Sequence, residues 1–143
     1  GVQLRMLVRG NCSVIPGIPG LSENIEIRGI IDRYLEHSRI FIFCNGGRGR
    51  ERYFIGSADW MTRNLDHRVE VYAPVHDRAI QAELRRIIEY GLRDNVAARV
   101  VDGTGENRLY ENDLPPFRSQ SELYRFYTEQ ANEQLTQREH AGK

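Results

Sequence analysis

A single hairpin constrains this chain more than any other local feature. Ile40-Phe41-Ile42-Phe43 is β-branched and aromatic throughout, Asn45-Gly46-Gly47 is a turn that readily takes left-handed backbone, and Arg52-Tyr53-Phe54-Ile55-Gly56 is a matching returning strand. Closing that hairpin brings Gly56-Ser57-Ala58-Asp59 back beside the residues that enter the first strand, Leu35-Glu36-His37-Ser38-Arg39. His37 and Arg39 share one face of an extended backbone, because side chains alternate with period two. Hairpin geometry therefore predicts that the Ser57 hydroxyl or the Asp59 carboxylate lies close to the His37 imidazole, with the Arg39 guanidinium on the same face. Such a set suits phosphoryl chemistry, in which positioned donors and positive charge stabilise the group in transit.

The rest of the chain reads as strands first and helices later. Val2 to Arg9 and Asn24 to Ile31 are strand-like, although a short helix from Ile30 to Glu36 competes at the end of the second. Between them, Pro16-Gly17-Ile18-Pro19-Gly20 excludes regular structure. Arg68 to Val75 alternates cleanly and ends near Pro74. Asp77 is placed to cap a helix from about Arg78 to Arg93, whose apolar residues Ile80, Leu84, Ile87, Ile88 and Leu92 fall at helical spacing. Asn95 to Val101 is a short strand, and 102–118 an irregular arm rich in Gly, Asn, Asp and Pro. Ser119 or Ser121 caps a last helix through about Gln137, followed by a frayed tail, His140-Ala141-Gly142-Lys143. This order predicts an α/β fold, a mixed sheet flanked by helices, in a single domain over residues 1–143.

Composition narrows the function classes. The 143 residues are 40% apolar and 28% charged, ordinary for a globular domain with its own core. Twenty basic residues balance twenty acidic ones, so the chain as a whole has no general attraction for nucleic acid. Every basic residue except Lys143 is an arginine, the better bidentate phosphate partner, although a GC-rich coding sequence yields the same bias. Cys12 and Cys44 make no disulfide framework and no zinc motif; a reducing cytoplasm is the expected setting, and a Cys12–Cys44 bridge the disfavoured alternative. No apolar run approaches the length needed to span a bilayer. The first residue is Gly1, which is expected of a piece of a longer polypeptide.

Four motifs in order are similar to one family. Leu7-Val8-Arg9-Gly10, Pro16 to Ile25, Tyr34 to Arg39, and Ser57-Ala58-Asp59-Trp60-Met61-Thr62-Arg63-Asn64-Leu65-Asp66 together resemble the carboxy-terminal catalytic region of bacterial polyphosphate kinases, enzymes with a phospholipase D-like fold. The resemblance is specific from about Val2 to Val75, looser to about Tyr110, and general in the last thirty residues. It implies reversible transfer of the terminal phosphate of ATP to inorganic polyphosphate. It implies ATP or ADP as substrate, Mg2+ with ligands not identified in this chain, and a cytoplasmic homo-oligomer that sits at most peripherally on the inner membrane.

The resemblance also assigns roles. His37 matches a second catalytic histidine, thought to act as proton donor or acceptor or by contact with phosphate. Arg9 matches an arginine that binds nucleotide phosphates. The histidine that becomes phosphorylated has no counterpart: His67, His76 and His140 sit in the wrong contexts. It is expected in the amino-terminal remainder of the same polypeptide, so this chain alone should be inactive. The phospholipase D pattern His-x-Lys is replaced here by His37-Ser38-Arg39, and Gly-Ser-x-Asn by Gly56-Ser57-Ala58-Asp59. Asp59 would repel phosphate, and is expected to turn toward His37 or an arginine.

Other readings stand beside these. Arg9 also suits the end of a sheet, Ser57 a turn, and Asp59 and Asn64 a cap on Trp60-Met61-Thr62-Arg63. Trp60 reads as core or interface before it reads as a stacking platform. Arg48, Arg50 and Arg52 read as a solvated hairpin, and with no Walker-type lysine after Gly10 to Gly20 a P-loop is excluded. A phospholipase D-type phosphodiesterase half-site and a non-catalytic polyanion-binding domain remain the functional alternatives.

Overall fold

A computed structural model describes residues 1–141; the side chains from residue 139 onward, and residues 142 and 143, lie outside the description. The α/β class holds, with six strands among the described residues divided between two three-stranded sheets and with helices accompanying them. Contacts gather into two compact units, residues 1–35 with residue 90 onward, and residues 36–89.

In the first unit, β1 (Leu4–Leu7) runs parallel to β2 (Ile25–Ile30), and β6 (Ala98–Val100) pairs antiparallel on the other side of β2. Ile27, on the central strand, is buried. Parallel neighbours need a crossover, usually a helix. Here the Pro/Gly segment makes it as an ordered loop pinned by buried Ser22. The Ser22 hydroxyl donates to the Ile15 carbonyl (2.7 Å) and accepts from the Ile18 amide (3.0 Å). The competing helix at Ile30 does not form, because its residues are drawn elsewhere. Asp32 pairs with Arg118 and accepts the Arg33 amide, and the Tyr34 amide donates to Gln120 (3.0 Å). Both cysteines are free thiols.

Asp94 organises the rest of this unit. Its side chain is fully buried; one oxygen accepts the amides of Val96, Ala97 and Ala98, and the other the amide and hydroxyl of Ser119. Burial by itself pushes this carboxyl up, but the donors of Ala97, Ser119 and Val96 outweigh it and hold its pKa below the ordinary 3.8. So Ser119, expected as a cap, is the first residue of α3 (Ser119–Ala141), and an aspartate distant in sequence satisfies its backbone. α3 extends past the expected Gln137 and takes in residues 140 and 141 of the expected frayed tail. The arm at 102–118 is irregular as expected; Asn95 ties it down through Phe117, donating to its carbonyl (3.1 Å) and accepting its amide (2.7 Å).

The second unit is built on the hairpin. β3 (Ile40–Phe43), β4 (Arg52–Gly56) and β5 (Tyr72–Val75) form an antiparallel meander, with Ile40 opposite Ile55 and Phe43 opposite Arg52. The turn is left-handed at every residue from Asn45 (φ 48°) to Gly49 (φ 79°); Asn and Gly adopt this backbone readily, and Arg48 (φ 58°) is carried into it between two glycines. β5 starts later than its alternating sequence predicts, because the Val71 amide is taken by the Ser57 hydroxyl (3.1 Å) before the ladder begins. Pro74 lies inside β5, which is tolerable because β5 is an edge strand. A short helix, α1 (Thr62–Leu65), follows the second arm of the hairpin. α2 (Arg78–Arg93) opens on the expected cap: Asp77 accepts the amides of Ala79 (2.8 Å) and Ile80 (3.0 Å). From Tyr90 its residues belong to the first unit. No helix among the described residues is long and apolar enough to cross a membrane.

Candidate phosphoryl-transfer site

The hairpin register delivers the predicted convergence. The amide of Gly56, closing β4, donates to the carbonyl of Arg39 just before β3 (2.9 Å), so the start of one strand and the end of the other are locked together. From that anchor the Arg39 guanidinium reaches both ways. Its Nη1 lies 3.1 Å from His37 Nδ1 and donates to the His37 carbonyl at 3.2 Å. Its Nε donates to Asp59 Oδ1 at 3.1 Å. Asp59 thus turns to an arginine, one of its two expected partners. Arg39 and Asp59 are largely shielded, with side chains 17% and 26% exposed, whereas His37 is exposed and accessible to a ligand.

A second cluster stands beside the first, centred on a residue that motif reading passed over. The Glu70 carboxylate accepts the Ser57 hydroxyl on one oxygen and the Asn64 amide on the other (2.7 Å). Ser57 donates to Glu70 while accepting from Val71, so its hydroxyl is committed within the turn. Asn64 is buried and bonds to Glu70. The Ser57 hydroxyl first, then the Asn64 amide, then the charges of Arg68 and Arg39, hold the Glu70 carboxyl below its ordinary 4.5. Glu70 sits in a stretch that alternates like a strand, so nothing local marks it; only the fold places it between Ser57 and Asn64.

Trp60, adjoining Asp59, is not a core residue. It is 66% exposed and stacks on Phe41 (centroids 5.6 Å apart, planes 10° apart), with Tyr72 meeting Phe41 edge-on at 5.2 Å. The structure therefore gathers His37, Arg39, Ser57, Asp59 and Asn64 within the second unit, whereas Arg9, half-buried just beyond β1, belongs to the first. Among the described residues, no group of three or more His, Cys, Asp or Glu side chains is placed to hold a metal ion.

The α/β fold thus presents, at the mouth of one hairpin, an imidazole in contact with a guanidinium that a carboxylate holds. The family described as "Polyphosphate kinase C-terminal domain 2" matches residues 1–120, and the chain belongs to that family. It is 44% identical over 125 residues to a polyphosphate kinase of Vibrio cholerae, covering 87% of this chain and 18% of that one. It is 45% identical over 129 residues to polyphosphate kinase 1 of Chlorobaculum tepidum, covering 90% and 18%. The crystal structure of polyphosphate kinase from Porphyromonas gingivalis superposes with a TM-score of 0.84 at 42% identity, over 90% of this chain and 20% of that one. The chain thus spans about a fifth of the length of the relatives it matches.

Proposed function

We propose that this chain is the terminal catalytic region of a polyphosphate kinase, which moves the terminal phosphate of ATP reversibly onto inorganic polyphosphate. The observation that carries the reading is the His37–Arg39 contact at 3.1 Å in a chain of this family. His37 meets the phosphoryl group, Arg39 and Asp59 hold it in place, and Arg9 binds nucleotide phosphates. Ser57, Asn64 and Glu70 support the turn that carries Asp59. The phosphoryl-carrying histidine comes from the amino-terminal remainder of the full polypeptide, so residues 1–143 alone do not turn over. ATP arrives with Mg2+ on its phosphates. The enzyme works in the cytoplasm as a homo-oligomer.

The test is His37→Ala in the full-length protein, with ATP-dependent polyphosphate synthesis measured alongside circular dichroism. A collapse of turnover with the fold preserved supports the reading. Unchanged synthesis points instead to a polyanion-binding role, and phosphodiester hydrolysis without ATP-dependent polymerisation points to the phospholipase D-type alternative.

A further inference from the structure

Resting on the proposed use of inorganic polyphosphate, we infer that the turn end of the β3–β4 hairpin is a second contact for that polymer. Arg48, Arg50, Arg52 and Arg78 form it, and it grips long chains outside the transfer site. Three of these arginines read from sequence as a solvated hairpin. Their pairing and their backbone argue for more.

The charge at this end is concentrated and unspent. The whole chain is neutral, yet the four arginines share the turn end with Glu51 and Asp77 as the only acids in 44–54 and 74–82. Elsewhere Arg28, Arg39, Arg85, Arg108, Arg118 and Arg125 each pair with a carboxylate. None of the four does so among the described residues, and all four are exposed. Asp77 spends one oxygen on the amides of Ala79 and Ile80.

The arrangement is also held in place. Arg78 donates to the Gly49 carbonyl and to Gln81 (3.0 Å each), and Arg50 leans on the carbonyls of Gly46 and Gly47 (3.4 Å each). The Asn45 side-chain amide donates to the Arg50 carbonyl (2.8 Å) and closes the turn. With five N–H groups on each guanidinium, several stay open to an anion. Arg48 has the most telling backbone: at φ 58° it occupies a left-handed position that suits glycine or asparagine better than a long side chain. Glycine codons are as GC-rich as those of arginine, so coding bias does not choose arginine there. A ligand for the side chain accounts for the strain.

These donors select a ligand with many repeated negative charges, because a guanidinium meets phosphoryl oxygens as a planar fork. The four-residue ladder Ile40–Phe43 sets the turn about 13 Å from the Arg39 end of the hairpin. A long polyphosphate reaches both ends, and the second contact raises affinity through effective concentration. Tripolyphosphate is confined to one.

The test is calorimetric titration of the full-length protein with long-chain polyphosphate and with tripolyphosphate. Arg48→Gly with Arg52→Gln removes two charges and leaves the Arg50 and Arg78 clasp intact, and glycine is at ease at φ 58°. Arg108→Gln with Arg125→Gln removes two exposed charges elsewhere. The hairpin variant should bind long chains roughly 10-fold more weakly with tripolyphosphate unchanged, and its salt dependence should flatten by about one log–log unit per arginine lost. The second variant should bind both as the unaltered protein does. Unchanged long-chain affinity in the hairpin variant, an equal loss in the second variant or for tripolyphosphate, or no long-chain binding by the unaltered protein overturns the inference. Binding needs no turnover, so a protein that makes no polyphosphate would sink the kinase reading while these titrations still decide on the hairpin.

Discussion

Both the amide and the hydroxyl of Ser119 donate to one oxygen of Asp94, each at 2.7 Å, across 25 residues of sequence. With the three amides on the other oxygen, this buried carboxylate joins the end of α2, the entry to β6 and the start of α3. Asp94→Ala would leave five donors without their acceptor. Each buried orphan costs about 1–3 kcal/mol, so the loss should reach about 3 kcal/mol or more even after relaxation. The shift of the urea unfolding midpoint measures it.

Acid should act through the same residue. The folded pKa of Asp94 lies below its unfolded 3.8, so its contribution is fully present above 3.8 and is lost as pH falls through the folded value. Stability followed downward from about pH 5 should decline most below 3.8. In Asp94→Asn that part of the decline should disappear.

Asn64 and Ser57 both bond to Glu70, but from different surroundings. Asn64 is 3% exposed, and Asn64→Ala removes a shielded hydrogen bond and leaves a small void. The expected loss is about 1–3 kcal/mol. Ser57 is exposed, so water replaces its hydroxyl and Ser57→Ala should cost less. Chemical denaturation of the two variants ranks them; equal losses would count against this account of the cluster.

Gly56 faces Tyr72 across the β4–β5 ladder. A Cβ at Gly56 would sit 2.6 Å from two atoms of that ring, which is itself packed edge-on against Phe41. The ring cannot turn away without giving up Phe41, so Gly56→Ala should destabilise by about 1–3 kcal/mol. Tyr72→Ala in the same molecule should recover part of the loss, because the clash is with the ring. A thermal-melt double-mutant cycle reads the coupling.

Asp59→Asn keeps the shape of the side chain and removes the charge that holds Arg39. If Arg39 is slackened by a fraction of an ångström, His37 shifts with it, and misplacement on the order of 1 Å costs about 10²-fold. A fall in kcat of about 10- to 100-fold is expected in the full-length protein, with KM for ATP little changed. A raised KM at constant kcat would instead place Asp59 in ground-state binding.

Elements whose signals are local matched their sequence reading residue for residue. The Asn-Gly turn put β3 at Ile40–Phe43 and β4 at Arg52–Gly56, and Asp77 put α2 at Arg78–Arg93. Where distant partners compete for a backbone amide, the outcome departs from the local signal or is decided by them: Ser57 shortens β5 by taking Val71, whereas β2 forms as its alternation predicts and the competing helix after Ile30 is denied by Asp32 and Gln120. Of the two readings of Trp60, core and interface, the core one fails, because its indole lies on Phe41 with most of its surface open.

Sequence alone was enough for the α/β class, the hairpin and the meeting of Asp59 with the His37–Arg39 strand entry, because a two-strand turn of known register is a short-range object. Tertiary structure decided that Asp59 takes Arg39, that Glu70 joins Ser57 to Asn64, and that Asp94 rather than Ser119 satisfies the start of α3. The physical reason is common to all three. A carboxylate accepts from whichever donors the folded chain carries to it, and no periodicity or spacing along the sequence records which ones arrive.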